Sequence, residues 1–90
     1  RANAVAIGLF AGGSSQTTNA VAIGNTAGQT TQGNSSVAIG NQSATTNQGA
    51  NSVAIGNLAG NATQATLSVA VGNSAGQTSQ GTFHKKIIKN

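Results

Sequence analysis

A four-residue word returns five times in this chain, and its spacing limits the fold more than any other feature. Val5-Ala6-Ile7-Gly8 is followed by Val21-Ala22-Ile23-Gly24, Val37-Ala38-Ile39-Gly40, Val53-Ala54-Ile55-Gly56 and Val69-Ala70-Val71-Gly72. The valines stand at 5, 21, 37, 53 and 69, so every interval is 16 residues. Self-similarity at a fixed period marks a repeat architecture, in which each unit buries its apolar face only against its neighbours.

Each unit has one grammar. Units run over residues 5–20, 21–36, 37–52, 53–68 and 69–84, inside a repeat region spanning 1–84. Residues 85–90 read as a basic tail or the start of a following segment. V-A-I-G alternates about β-branched residues, the pattern of a short strand. Val and Ile take one face, Ala and Gly the other. The pattern leaves open which face lines the inside. N-x-A-G follows at 25–28, 57–60 and 73–76, and Asn and Gly there tolerate the left-handed backbone of a turn. Polar strands come next, as at 29–32 and 77–80, and Gly33, Gly49 and Gly81 close most units.

A helix is a poor fit, because each Gly costs near 1 kcal/mol in a helix interior. Polar composition raises disorder as the rival, but β-branched residues in strict register favour order. The expected fold is all-β, a parallel β-solenoid with two short strands per coil. Five coils stacked about 4.8 Å apart give a rod on the order of 24 Å long.

The register sets up columns of like residues. Val5, Val21, Val37, Val53 and Val69 form one, and Ile7, Ile23, Ile39, Ile55 and Val71 form another. Both are expected at a core or an interface, and a charge such as Ile39→Lys is expected to break stacking and assembly together. Gln16, Gln32, Gln48, Gln64 and Gln80 form a polar column, as do Asn25, Asn41, Asn57 and Asn73. Stacked amides can bond to the copies above and below, so both columns are expected to be structural ladders. A Ser/Thr column holds Ser14, Thr30, Thr46, Ala62 and Thr78. Neighbours such as Thr30 and Thr31 face opposite sides under a strict alternation, which argues against a two-wide threonine face for binding ice.

Charge is confined to the ends. The chain has no Asp or Glu, and its net charge of +4 comes from Arg1, Lys85, Lys86 and Lys89. Such placement is not the distributed basic surface of a nucleic-acid binder. With no Cys and no carboxylate, neither disulfides nor a metal cluster is expected. General acid–base chemistry has only His84 to draw on, beside the terminal lysines, so no enzyme is expected and no cofactor. The glycine-rich stretch at 8–13 lacks a phosphate-loop Lys. Glycosylation-type triplets at Asn34, Asn41 and Asn61 are expected by chance in sequence this rich in Asn, Ser and Thr. No apolar run is long enough to span a membrane, so no membrane contact is expected within this segment. The absence of Met suggests a piece of a longer protein. Hydrophobic residues are 37% of the chain, close to half of them Ala. Ten larger side chains in the V-x-I/V pairs are few for 90 residues, and burial against other chains is expected to supply the remainder.

The words N-S-V-A-I-G at 51–56 and A-G-Q-T-T-Q-G-N-S-S-V-A-I-G at 27–40 carry a resemblance. The first resembles the head repeat of trimeric autotransporter adhesins of the YadA type. The second is similar to repeats in phage tail fibres and in fibre proteins of large DNA viruses. The likeness covers about residues 2–82. It implies a left-handed parallel β-roll with three chains around one axis, on a cell or virion surface, attaching to a host or matrix ligand. Two units depart from the pattern. Leu9-Phe10 replaces the Asn and polar residue of the first, and Gln42-Ser43-Ala44 replaces x-A-G in the third. A homotrimeric fibre segment is therefore expected. A self-polymerising filament of the functional-amyloid kind is the alternative, since uncapped coils expose strand edges. An ice-binding solenoid ranks last.

Overall fold

The computed structural model describes residues 3–76, 79–80 and 85–87. In chain order the strands are β1 (Val5–Ile7), β2 (Ser15–Gln16), β3 (Val21–Ile23), β4 (Thr31–Gln32), β5 (Val37–Ile39), β6 (Asn47–Gln48), β7 (Val53–Ile55), β8 (Thr63–Gln64), β9 (Val69–Val71), β10 (Ser79–Gln80) and β11 (Lys85–Ile87). They form two parallel sheets. One is six-stranded in the order β1-β3-β5-β7-β9-β11, the other five-stranded in the order β10-β8-β6-β4-β2. The chain is thus an all-β solenoid whose path alternates between the sheets. Val5 pairs with Val21, Val21 with Val37, Val37 with Val53 and Val53 with Val69, without slip. Gln16, Gln32, Gln48, Gln64 and Gln80 pair in sequence on the other sheet. The principal extents are 30 × 22 × 15 Å.

Small residues fill the inside. Ala22, Ala38, Ala54 and Ala70 of the V-A-I strands are fully buried, as are Ala27, Ala59 and Ala75 of the turns. Ser36, Ser52 and Ser68 are buried beside them, and their hydroxyls donate to the carbonyls of Gly33, Gly49 and Ala65. Val and Ile stand on the opposite side of the same strands, half-buried or exposed. The apolar tetrad therefore turns its methyl groups inward and its β-branched side chains outward. Ala and Ser thus occupy the inner side of these strands, and the β-branched side chains are left on the outer surface.

Glycine is required where the V-A-I strands end. Gly24 and Gly40 have φ of +127° and +129°, and a Cβ on Gly24 would stand 2.6 Å from the carbonyl oxygen of Gly40. No side chain fits between coils that close. A second left-handed corner holds Gly12, Gly28, Gly60 and Gly76, with Ala44 in the third coil at φ 45°. A Cβ at Gly28 would meet the Gln32 amide carbon at 3.0 Å. Ala44 places a methyl group in that position, a strain the other coils avoid.

The polar strands are shorter than the sequence suggests. β4 holds only Thr31 and Gln32, and Thr30 belongs to the turn before it. Thr30 and Thr31 are both exposed. This corrects the expectation that they face opposite sides, because strict alternation applies only within a strand. The six-stranded sheet also runs one strand beyond the fifth repeat, since β11 pairs with β9.

Candidate functional site

The glutamine column is the brace of each coil. Gln16, Gln32, Gln48 and Gln64 lie almost wholly buried, the largest interior side chains among the described residues. Each reaches across from the five-stranded sheet. Their Nε2 groups donate to the main-chain carbonyls of Val5, Val21, Val37 and Val53 at 2.5–2.6 Å. The acceptor in each case is the residue just before a buried or inward Ala, so the amide ties one sheet to the other through the middle of the coil. A buried amide without a partner costs roughly 1–3 kcal/mol, which is why a fixed acceptor matters here. Amide-to-amide contact is secondary: Gln48 Nε2 donates to Gln64 Oε1 at 3.1 Å. The Oε1 atoms of Gln16, Gln32 and Gln48 have no partner among the described residues. The side chain of Gln80 lies outside the described residues, as do Thr78 and His84.

Asparagine forms the ladder on the outside. Asn25 Nδ2 donates to Asn41 Oδ1 at 3.3 Å, Asn41 to Asn57 at 3.2 Å and Asn57 to Asn73 at 3.2 Å. All four side chains are exposed. The next place below Asn25 is Leu9, which is 65% exposed and ends the ladder.

Beside this ladder lies the surface that stands out. Val21, Val37, Val53 and Val69 form one outward row and Ile23, Ile39, Ile55 and Val71 a second, most of them half-buried. Ile55 is 37% exposed although it lies in mid-stack. At the first coil, Val5, Ile7, Leu9 and Phe10 are 41–65% exposed. Contiguous apolar surface of this kind, bordered by amides and hydroxyls, is characteristic of an interface. Phe10 also sits at φ 62°, a left-handed corner that suits Gly or Asn better than an aromatic residue.

The other face of the rod is polar and uncharged. Thr17, Thr18, Thr30, Thr31, Thr46 and Asn47 are exposed there. Ala62 and Asn47 interrupt what would be continuous rows of hydroxyls. Among the described residues there is neither an enclosed pocket nor a cluster of His, Cys, Asp or Glu that could hold a metal ion. Nor is there, among the described residues, a helix long and apolar enough to cross a membrane. The surface can therefore do two things chemically: associate through an apolar sheet face and present neutral hydrogen-bonding groups.

Comparison with known proteins gives no match to this chain, whether to family models, to curated proteins or to solved structures.

Proposed function

We propose that the chain is a structural and adhesive repeat segment of an extracellular fibre, on a cell or virion surface, built from three copies packed side by side. One observation carries this reading. The β-branched columns stand outward while Ala, Gly, Ser and Gln fill the coil. An apolar sheet face turned to solvent favours association, and identical faces around a closed axis are covered together. The left-handed roll of 16-residue coils is the form implied by the N-S-V-A-I-G resemblance. The unslipped pairing of Val21 with Val37 and of Val37 with Val53 is consistent with it. The uncharged polar face is then free to meet a host-surface or matrix ligand, or to space such a head from its base. The role is non-catalytic and uses no cofactor, nucleic acid or membrane contact.

Light scattering on the purified chain tests the assembly. The expected mass is that of three chains of 8.7 kDa each. A monomer that persists at high concentration overturns the reading.

A self-polymerising filament is the second reading, since stacked parallel strands in one unbroken register can template further strands. Concentration-dependent fibrils would support it in place of the trimer. Exposure of both Thr30 and Thr31 removes one objection to ice binding. The broken rows at Asn47 and Ala62 argue against it, and thermal hysteresis is expected to be absent.

A further inference from the structure

Each unit carries two left-handed corners outside its glycines. One lies three residues past the Ile place and holds Phe10, Thr26, Gln42, Leu58 and Ser74, at φ 58–65°. The other lies two residues before the next Val and holds Asn19, Ser35, Asn51 and Leu67, at φ 56–62°. The V-A-I strands stack in register, so the two columns run along opposite edges of their sheet. This backbone region suits Asn and Gly and is costly for bulky side chains. The second and third units obey that preference with Thr26 and Ser35, and with Gln42 and Asn51. The first is mixed, with Phe10 and Asn19. Among the described residues, only the fourth unit has an apolar residue at both corners. Leu67 is 43% exposed and Leu58 is half-buried. Ile55, on the face between these two edges, is 37% exposed. Backbone strain kept at two corners to show leucine to solvent points to a use outside the coil.

We propose that Leu58 of one copy packs against Leu67 of a second copy lying alongside it in the same direction, and that this pair sets the height at which the copies lock. The inference rests on the side-by-side assembly proposed above. Copies related by an axis parallel to the rod bring one edge of the V-A-I face against the opposite edge of the next face. Leu58 and Leu67 are nine places apart in a 16-residue unit. They therefore differ in height by less than one ~4.8 Å rise, within reach of two leucine side chains. The rows of Val and Ile cannot fix that height. They repeat in every coil, so a slip of one coil replaces each contact with a like one. Charge cannot fix it either, because neither edge carries any among the residues named and the chain has no Asp or Glu. A leucine pair that occurs in one coil distinguishes the correct height from every slipped one, since a slip sets leucine against Gln, Asn, Ser or Thr. Copies running in opposite directions would instead bring like corners together.

The chain has no cysteine, so introduced thiols report contacts without background. Leu58→Cys and Leu67→Cys are made singly and together in one chain, and the single variants are also refolded as a mixture. Asn19→Cys, at the same corner as Leu67 but ~12 Å away along the rod, is the control partner for Leu58→Cys. Light scattering gives the mass of each assembly, and a non-reducing gel after mild oxidation gives the covalent mass. The Leu58→Cys and Leu67→Cys mixture is expected to link in pairs, and the combined variant to link into a covalent trimer. Each single variant and the Asn19→Cys mixture are expected to stay unlinked. A trimer by scattering whose Leu58→Cys and Leu67→Cys mixture does not link overturns this inference and leaves the trimer. Linking within single variants, or with Asn19→Cys instead, also overturns it. A two-chain particle whose combined variant links into a covalent dimer overturns the trimer and leaves this inference, and a monomeric wild type overturns both. Leu58→Gln/Leu67→Asn, which installs the residues of the third unit, separates contact from energetic role. Circular dichroism is expected to match wild type, with dissociation at ~10-fold higher concentration or more. A folded variant that dissociates as wild type does overturns the role of the pair in locking the copies.

Discussion

The inside of the coil and the outward face of its V-A-I strands use the same four residues for opposite purposes. Inside, the chain completes itself. The buried Ala of the V-A-I strands cluster with the buried Ala of the turns, Ser36 and its counterparts bond locally, and each Gln ties the far sheet to a Val carbonyl. Outside, Val and Ile stack in rows without a covering layer. Folding of one coil and the proposed association of several chains would therefore draw on different positions of the sequence. Odd places of the tetrad face outward, where the proposed association would use them, and even places serve the coil itself.

A substitution at an even place should destroy both. Gly40→Val puts a branched side chain at φ 129°, with its Cβ 2.7 Å from the Gly56 oxygen. Combined backbone strain and overpacking should cost about 3 kcal/mol or more, seen as loss of the β signal on a thermal melt. A smaller loss is expected for Gln48→Ala, which removes the bond to the Val37 carbonyl and leaves a cavity in mid-stack. About 2–3 kcal/mol is expected from chemical denaturation. An unchanged midpoint would show that the Gln columns do not brace the coil.

The third coil offers the opposite sign. Ser43 occupies the buried place that Ala27 and Ala59 hold, and its hydroxyl has no partner among the described residues. Ala44 stands at φ 45° where Gly28 and Gly60 stand. Restoring the common pattern with Ser43→Ala/Ala44→Gly should stabilise the chain by about 1–2 kcal/mol, read as a higher denaturation midpoint. Association should be unaffected, because neither side chain belongs to the outward rows.

Period, strand and turn were legible because the sequence states them five times over. A strict interval at valine can pair in register only as stacked parallel strands, and the structure has that pairing. The direction of the tetrad was not legible. An alternating V-A-I-G serves either face equally well, and only the three-dimensional structure shows that Ala takes the inner one. The task of Gln32 was hidden for a related reason. Its amide looks like a rung until the carbonyl of Val21 is known to lie across the coil. Thr30 misled because alternation was carried past the end of a two-residue strand. Residues 85–90 read in the sequence as a basic tail or the start of a following segment, and the backbone of β11 keeps the register of the V-A-I strands there.

Ile39 tests the separation of the two faces most directly. From sequence alone, a charge there should break stacking and assembly together. With Ile39 on the outward row and half-buried, Ile39→Lys should instead leave the coil folded. Sedimentation or light scattering of wild type and this variant, with circular dichroism on both, is the decisive measurement. The expected result is a wild-type mass of three chains, and a variant with the mass of one chain and an unchanged β spectrum. A variant that still assembles as wild type does would contradict the proposed role of the outward columns, and one that unfolds would contradict their independence from the coil.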